Sequence, residues 1–298
     1  MQWPRAPRPL HVVQTRGMVS TYVLVHGAFG NSAVWAPIAR ELALRGHRTV
    51  AVDLPGHGLD AMIPVGYLGG QDLGVLATAP SGMAGISTAD DVAAVSDAVR
   101  RAAGLGPVIL VGTSRGGLTL TAVGNAVPEL IDRLVYISAW CCVDATTSAY
   151  LQAPENVSSL LAQVGGIAVG DPAEIGAIRL NWRTSDPGHL AALQAALLAD
   201  GTRDELLAYL HTQDPDEALI VDEAATRADA ATWGRIPRTY LRLTEDRSLP
   251  LPLQDRFIAE ADALTPDNPF DVHSVPSSHL GWQLHPAQVV TILHKLVH

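Results

Sequence analysis

The sequence predicts an α/β protein with a mostly parallel, doubly wound sheet and a helical cap inserted after the strand at 133–139. Short apolar runs alternate with segments of helical spacing, which is typical of a parallel sheet with helices on both faces. The alternation stops after residue 139 and resumes at 238. Hydrophobic residues make up 48% of the chain and charged residues only 17%, so we expect a large ordered core.

The first part of the chain carries the elements that open the predicted sheet. Gly46 is placed to cap the first helix, the run from Thr88 to Asp91 resembles a capping box with Asp in place of Glu, and Pro128 ends the third helix. The predicted elements are strands at 21–25, 48–52, 107–111 and 133–139, and helices at 33–45, 88–103 and 118–127. The glycine-rich segment 59–87 interrupts this order, and a loop of that length is expected to be disordered or to line a site.

Only helical patterns occur between residues 140 and 231, for example at 187–199 and 203–211. Such a block between two strands of one sheet is expected to cover the carboxyl edge, where open α/β sheets bind ligands. The later elements are strands at 238–243 and 270–275 and helices at 253–263 and 286–297. We therefore expect a disordered tail at 1–17, a core formed by 18–139 and 237–298, and a cap at 140–236.

Charge and cysteine content exclude several classes of partner. A formal net charge of −10 disfavours nucleic acid, because phosphate binding needs a basic face. No apolar stretch is long enough for a membrane span, and the leading segment lacks the apolar region of a secretory signal. The adjacent Cys141 and Cys142 favour reduced thiols in the cytoplasm. We expect a small-molecule substrate and no metal or organic cofactor, and we leave a homodimer open.

The run Gly112-Thr113-Ser114-Arg115-Gly116 matches G-x-S-x-G, with a predicted strand before it and a helix after it. On such a sharp turn the serine hydroxyl is exposed, and the flanking glycines avoid collisions with neighbouring backbone. The helix that follows favours negative charge at its N-terminus. Ser114 is therefore the candidate nucleophile.

A serine nucleophile needs a base, and the base needs a carboxylate that orients it. His279 lies in the loop directly after the last predicted strand, and His285 is the second choice. Asp246 follows the strand at 238–243 and is the preferred acid, with Glu245 and Asp144 as alternatives. The order Ser, acid, His agrees with the order typical of this kind of sheet.

Acyl transfer also needs donors for the oxyanion that develops on the substrate. The backbone N–H of Ala28, after the first strand, and that of Arg115, after the nucleophile, are the candidates. The side chain of Arg115 either pairs with a surface acid or meets an anionic group on the substrate. We expect Gly27, Phe29, Trp140 and Leu280 to line the substrate pocket, together with the segment 59–87 and the cap.

These residues resemble the α/β-hydrolase superfamily. The runs VLVHGAFGNSAVW, DLPGHG, LVGTSRGG, TED and SSHLGW occur in the order and spacing of that superfamily. More narrowly, the sequence is similar to the plant-type methylesterase and hydroxynitrile lyase group and its bacterial relatives. That resemblance implies Asp246 as the catalytic acid and the N–H groups of Ala28 and Arg115 as oxyanion donors.

The resemblance also separates reaction types. The lyase branch carries a Thr and a Lys at the positions of Gly27 and Leu280, so these two residues favour the esterase branch. Epoxide hydrolases and haloalkane dehalogenases use an Asp nucleophile, which Ser114 excludes. We expect a carboxylesterase that acts on a small, largely apolar ester. A lyase or isomerase, a thioesterase or cyclase, and a non-catalytic binding protein remain alternatives.

Overall fold

A computed structural model describes residues 19–219 and 221–296 of the chain. The strands are β1 Thr21–Val25, β2 Arg48–Val52, β3 Val108–Ser114, β4 Arg133–Ala139, β5 Ala177–Arg179, β6 Asp216–Ala218, β7 Arg238–Leu243 and β8 Asp271–Val275. Six of them form one parallel sheet in the order β2-β1-β3-β4-β7-β8, and β5 and β6 form a separate antiparallel pair. The predicted parallel sheet is confirmed.

Helices cover both faces of this sheet. Successive residues of β1 enter different cores: Tyr22 and Leu24 pack with α1 and α12, whereas Val23 and Val25 pack with α3, α4 and α10. This alternation follows from the pleat, which sends neighbouring side chains to opposite faces. The helices are α1 Ala36–Leu44, α2 Leu73–Thr78, α3 Thr88–Ala103, α4 Gly116–Ala126, α5 Thr147–Leu151, α6 Leu161–Val164, α7 Pro172–Ile175, α8 Pro187–Leu197, α9 Arg203–Leu210, α10 Leu251–Leu264, α11 Gly281–Leu284 and α12 Ala287–Lys295.

The chain leaves the sheet after β4 and returns to it at β7, as the sequence predicted. The intervening segment is not purely helical, because β5 and β6 pair within it, with Ile178 opposite Glu217. Three-residue strands are too short to show a period, so the sequence pattern did not reveal them. We call the segment 140–236 the cap below.

Two local predictions need correction. The residue that caps α3 is Ser87, one position earlier than expected, and its backbone N–H donates to the Asp90 carboxylate at 2.9 Å. The segment 59–87 contains α2 and packs against the cap, where the buried Arg179 donates to the carbonyls of Leu76 and Ala79.

The predicted tail at 1–17 lies outside the described residues. Within the described residues, no helix is long and apolar enough to cross a membrane.

Candidate active site

Ser114 occupies a strained turn between β3 and α4. Its φ of 52° lies in the left-handed region, which non-glycine residues rarely adopt. Neighbouring glycines make the turn possible. A Cβ on Gly112 would lie 2.4 Å from the side chain of Leu120, and one on Gly116 would lie 2.5 Å from the carbonyl oxygen of His26. The G-x-S-x-G run therefore forms the geometry that its motif predicts.

The imidazole of His279 and the carboxylate of Asp246 form a buried pair, with Nδ1 and Oδ2 2.6 Å apart. Asp246 lies in the loop after β7 and His279 in the loop after β8, and these strands are neighbours in the sheet. The other carboxylate oxygen accepts hydrogen bonds from the backbone N–H groups of Ser248 and Leu249. Ser138 donates its hydroxyl to Oδ2 at 2.6 Å. The carboxylate is thereby fixed on the ring nitrogen that it orients.

The cap fixes the loop that carries His279. The N–H of Leu280 donates to the carbonyl of Leu197 at 3.0 Å, and the N–H of Ser278 donates to the carboxylate of Asp200 at 3.0 Å. The indole N–H of Trp282 donates to the carbonyl oxygen of His279 itself. Hydrogen bonds on both sides of His279 therefore hold its backbone in place.

Ser114 and His279 both line one cavity of about 100 Å³ beneath the cap. The remaining lining is mainly apolar, and none of it carries a fixed charge: Gly27, Ala28, Phe29, Gly30, Val34, Thr113, Leu161, Val164, Trp182, Leu197, Tyr209, Gln213, Leu280 and Gln283. Among the described residues, no hydrogen bond joins the Ser114 hydroxyl to the His279 ring. Such bonds commonly tighten only with substrate in place.

The structure places three of the four predicted pocket residues on this cavity. Gly27, Phe29 and Leu280 line it, whereas Trp140 does not. The carbonyl oxygen of Trp140 packs so closely on Gly117 that a side chain at position 117 would collide with it. The ring centroids of Trp140 and Phe257 lie 5.5 Å apart. Trp140 therefore belongs to the core on the α4 and α10 side of the sheet. The segment 59–87 supplies no lining residue in the described part of the chain.

The alternative acids and base lie elsewhere. His285 is largely exposed, with its Nε2 3.2 Å from a carboxylate oxygen of Glu205. Glu245 is exposed beside Asp246, and Asp144 is exposed after β4. Of the candidates that the sequence left open, the structure brings only Asp246 and His279 together with the cavity of Ser114.

The loop after β1 lies directly against the strained turn. A Cβ on Gly27 would lie 3.0 Å from the Cβ of Ser114 and 3.6 Å from its hydroxyl oxygen. Within the described residues, no protein acceptor takes the backbone N–H of Ala28 or of Arg115, whereas the N–H of Phe29 donates to Glu217. The two N–H groups that the sequence singled out are thus free to bind a substrate oxygen.

Comparison with known proteins agrees with this architecture. Residues 22–292 match the profile described as the Alpha/beta hydrolase family. The chain belongs to this family.

Solved structures of this α/β-hydrolase fold include several hydrolases and esterases. A pyrethroid hydrolase from Sphingobium faniae JZ-2 has a TM-score of 0.67 at 19% identity, over 94% of this chain and 97% of the other. Polyneuridine aldehyde esterase has a TM-score of 0.66 at 19% identity, over 94% and 100%. Tomato methylketone synthase I has a TM-score of 0.63 at 18% identity, over 93% and 97%. No curated protein sequence matches this chain.

A buried cluster of charged residues, which the sequence did not predict, lies behind the loop after β1 of this α/β hydrolase. We call this loop, residues 26–30, the oxyanion loop, because the sequence predicts one of the two oxyanion donors in it. It consists of His57, Asp91, the Arg115 side chain, Asp214 and Glu217, and we call it the charge cluster. Glu217 lies 3.2 Å from the guanidinium of Arg115 and 3.7 Å from Nε2 of His57. Arg115 therefore pairs with a buried acid of the cap rather than with a surface acid.

Burial and ion pairing shift the pKa values within this cluster. Burial lowers the pKa of His57, but the carboxylates of Asp214 and Glu217 outweigh it and raise that pKa to about 9. Burial opposes ionisation of Glu217, yet Arg115 and His57 lower its pKa to about 2. Burial raises the pKa of Asp91 to about 6 despite the nearby Arg115. At neutral pH the cluster therefore contains two cations that face buried carboxylates.

Beside the cluster, His26 is neutral. Burial and the neighbouring His57 lower its pKa to about 4. The N–H of Leu54 donates to its Nε2, so its Nδ1 carries the proton and donates to the carbonyl of Gly27 at 2.8 Å. The positively charged ring of His57 lies edge-on to that of His26 at 4.8 Å. Within residues 19–219 and 221–296, no group of three or more His, Cys, Asp or Glu side chains is arranged to hold a metal ion.

Proposed function

We propose that the protein is a serine esterase that hydrolyses a small, uncharged carboxylic ester through an acyl-enzyme on Ser114. One observation carries this proposal: His279, which is hydrogen-bonded to Asp246, lines the same cavity as the strained Ser114. A carboxylate on Nδ1 fixes the tautomer that leaves Nε2 free to take a proton. The membership of the chain in the α/β-hydrolase family agrees with this reaction class.

The proposed reaction has two steps. His279 accepts the hydroxyl proton as the oxygen of Ser114 attacks the ester carbonyl, and the N–H groups of Ala28 and Arg115 stabilise the oxyanion. His279 then protonates the departing alcohol, which leaves an acyl group on Ser114. Water, deprotonated by His279, attacks this acyl group, and collapse of the second tetrahedral intermediate releases the acid and restores the hydroxyl.

The shape of the cavity supports a small substrate. A volume of about 100 Å³ is small beside the roughly 300–1,000 Å³ of typical ligand pockets. Its lining offers aliphatic and aromatic side chains and no fixed charge. We therefore propose that acetyl to butyryl esters are turned over faster than octanoyl esters or charged ones.

A lyase that handles a small anion with a lysine is disfavoured. Lys295 is the only lysine of the chain, and it lies at the end of α12, away from the cavity residues. The position after His279 holds the apolar Leu280 instead.

The free, buried thiols of Cys141 and Cys142 support a reducing compartment, and we propose a cytoplasmic location on that ground.

The test combines turnover with chemical labelling. Hydrolysis of p-nitrophenyl acetate, butyrate and octanoate is measured for the wild type, Ser114→Ala and His279→Asn. Each substitution should lower kcat at least about 1,000-fold. Ser148→Ala and His285→Asn, which alter exposed residues, are the matched controls and should leave kcat unchanged. A fluorophosphonate probe should label Ser114, and near-normal turnover by Ser114→Ala would refute the proposal.

A further inference from the structure

Glu217, a buried acid in β6 of the cap, touches both parts of the proposed oxyanion hole. One carboxylate oxygen accepts the backbone N–H of Phe29 at 2.8 Å. The other lies 3.2 Å from the guanidinium of Arg115. Phe29 directly follows Ala28, and Arg115 carries the second oxyanion donor. A single side chain of the cap therefore joins the two loops that supply the N–H groups.

The cap holds both backbone polar groups of Phe29. Its φ of 58° lies in the left-handed region, so the conformation needs support from its surroundings. Its N–H donates to Glu217, and its carbonyl accepts the N–H of Asp214 at 2.9 Å. On the other side of Ala28, the carbonyl of Gly27 accepts a hydrogen bond from His26. With both neighbours fixed, the direction of the Ala28 N–H is fixed as well.

Arg115 is held in an equivalent way. It follows Ser114 and directly precedes the first residue of α4, so its backbone N–H belongs to the strained turn. The side chain is 18% exposed and lies between Glu217 and Asp91. A charge-assisted contact at 3.2 Å restrains the side chain, and through it the start of α4.

We propose that Glu217 is a positioning residue that sets the geometry of the oxyanion hole from the cap. This inference rests on the proposed function, because it concerns the donors of that reaction. Glu217 touches no reacting atom; it acts through Phe29 and Arg115. Oxyanion donors must be aimed at the charge of the transition state, so a small displacement of the loop weakens catalysis without weakening substrate binding.

The primary experiment is Glu217→Gln. Glutamine keeps the shape of the side chain, but its NH₂ group must face either Arg115 or the N–H of Phe29, and both are donors. We expect kcat for p-nitrophenyl butyrate to fall about 10- to 100-fold with KM changed less than about threefold. A trifluoromethyl ketone with a propyl group forms a hemiketal oxyanion on Ser114, and its inhibition constant should rise by the same factor. Inhibition by the corresponding alcohol, which forms no oxyanion, should not change.

The matched control is Asp216→Asn, one residue earlier in β6. Asp216 is also buried and acidic, but it pairs with Arg179 inside the cap and makes no contact with the oxyanion loop. This variant should keep kcat within about threefold even where it lowers the melting temperature. Equal losses of kcat in Asp216→Asn and Glu217→Gln would overturn the inference, since general loosening of the cap would then explain both.

A second variant keeps the inference testable if Glu217→Gln does not fold. Arg115→Met retains the backbone N–H and removes the guanidinium; it should lower kcat and the affinity of the trifluoromethyl ketone together. In the double variant the two losses should not multiply, because both single variants remove the contact between Glu217 and Arg115. Normal kcat in a folded Glu217→Gln or Arg115→Met protein, with Ser114 still labelled and required, would overturn this inference alone. If the probe did not label Ser114 and Ser114→Ala kept its activity, the proposed function itself would be overturned.

Discussion

The two sides of the cavity are built in different ways. On the side of the proposed base, which we call the acid–base side, the ring of His279 contacts the carboxylate of Asp246 and, within the described residues, no other. The cap holds the loop of His279 there through the carbonyl of Leu197 and the carboxylate of Asp200, which accept backbone N–H groups of that loop. On the side of the proposed oxyanion donors, which we call the oxyanion side, the cap contributes the charged side chains of Asp214 and Glu217, which lie beside His57 and Arg115.

This difference shows two uses of buried charge. On the acid–base side, the carboxylate of Asp246 contacts the ring that carries the proton in the proposed reaction. On the oxyanion side, the ion pair of Glu217 with Arg115 connects the cap to the residue that follows Ser114, and burying such charges costs less when they are paired. The cap therefore supplies hydrogen-bond acceptors on the acid–base side, and it supplies side chains that form ion pairs on the oxyanion side.

The largest expected effect comes from removing the charge of the carboxylate that contacts His279. Asp246→Asn retains the size of the side chain but removes the negative charge that orients His279, so kcat should fall about 1,000- to 10,000-fold. Steady-state hydrolysis of p-nitrophenyl butyrate measures it. Ser138→Ala is the control, because Asp246 keeps its contacts with His279 and two backbone N–H groups. If Asp246→Asn lost no more activity than Ser138→Ala, the role assigned to this carboxylate would be wrong.

The next effect concerns the stability of the oxyanion side. The pKa of His57 is raised to about 9 in the folded protein, so its contribution to stability is complete below about pH 6.5 and is lost as pH rises through 9. His57→Gln should therefore cost about 3 kcal/mol more at pH 6 than at pH 10. Urea unfolding of both proteins across this range measures the difference. A destabilisation independent of pH would contradict a charged His57.

A smaller effect tests the contact between the oxyanion loop and the strained turn. In Gly27→Ala, the new methyl group would lie 3.0 Å from the Cβ of Ser114, and one of the two loops must shift. We expect kcat to fall about 30-fold, which is about 2 kcal/mol of transition-state stabilisation. Gly69→Ala is the matched control, because a Cβ there meets nothing within 4 Å. Equal activity of both variants would show that the loop accommodates the methyl group without a loss of catalysis.

The smallest effect comes from Asp91, at the edge of the charge cluster. Burial raises the pKa of its carboxyl to about 6, above its ordinary value of 3.8, although Arg115 opposes the shift. The folded protein then binds the proton more tightly than the unfolded chain, and stability falls as pH rises between these values. Asp91→Asn should stabilise the protein by about 1–2 kcal/mol at pH 7.5 and by nothing at pH 3.5. A net loss at pH 7.5 would mean that the contact with Arg115 outweighs burial.

Local patterns singled out three residues that the structure brings together, and their catalytic roles stay a prediction. The strand-turn-helix context identified Ser114, and the loops after two predicted strands identified Asp246 and His279, because parallel strands bring their carboxyl ends to one edge. The same reasoning failed for Trp140. A residue that directly follows a strand can turn toward either face, and only the close packing of its carbonyl on Gly117 decides which.

The charge cluster had no comparable signal. Asp214 and Glu217 belong to an acidic run in the cap, and a run of that kind is most often a solvated surface. His57 lies in a turn after β2, and nothing in its spacing connects it with the cap. Arg115, directly after the candidate nucleophile Ser114, was the one hint, since a cation at that position needs either a partner or an anionic group on the substrate.

The sequence by itself determined the order of the strands along the chain, the strained turn at Ser114 and the residues that follow the strands, because these depend on hydrophobic period and on local backbone geometry. Only the tertiary structure decided which acids of the cap reach the oxyanion loop, and where Trp140 packs. Contacts between distant segments depend on how the cap closes over the sheet, and that closure balances burial, ion pairing and backbone hydrogen bonds that no short stretch of sequence contains.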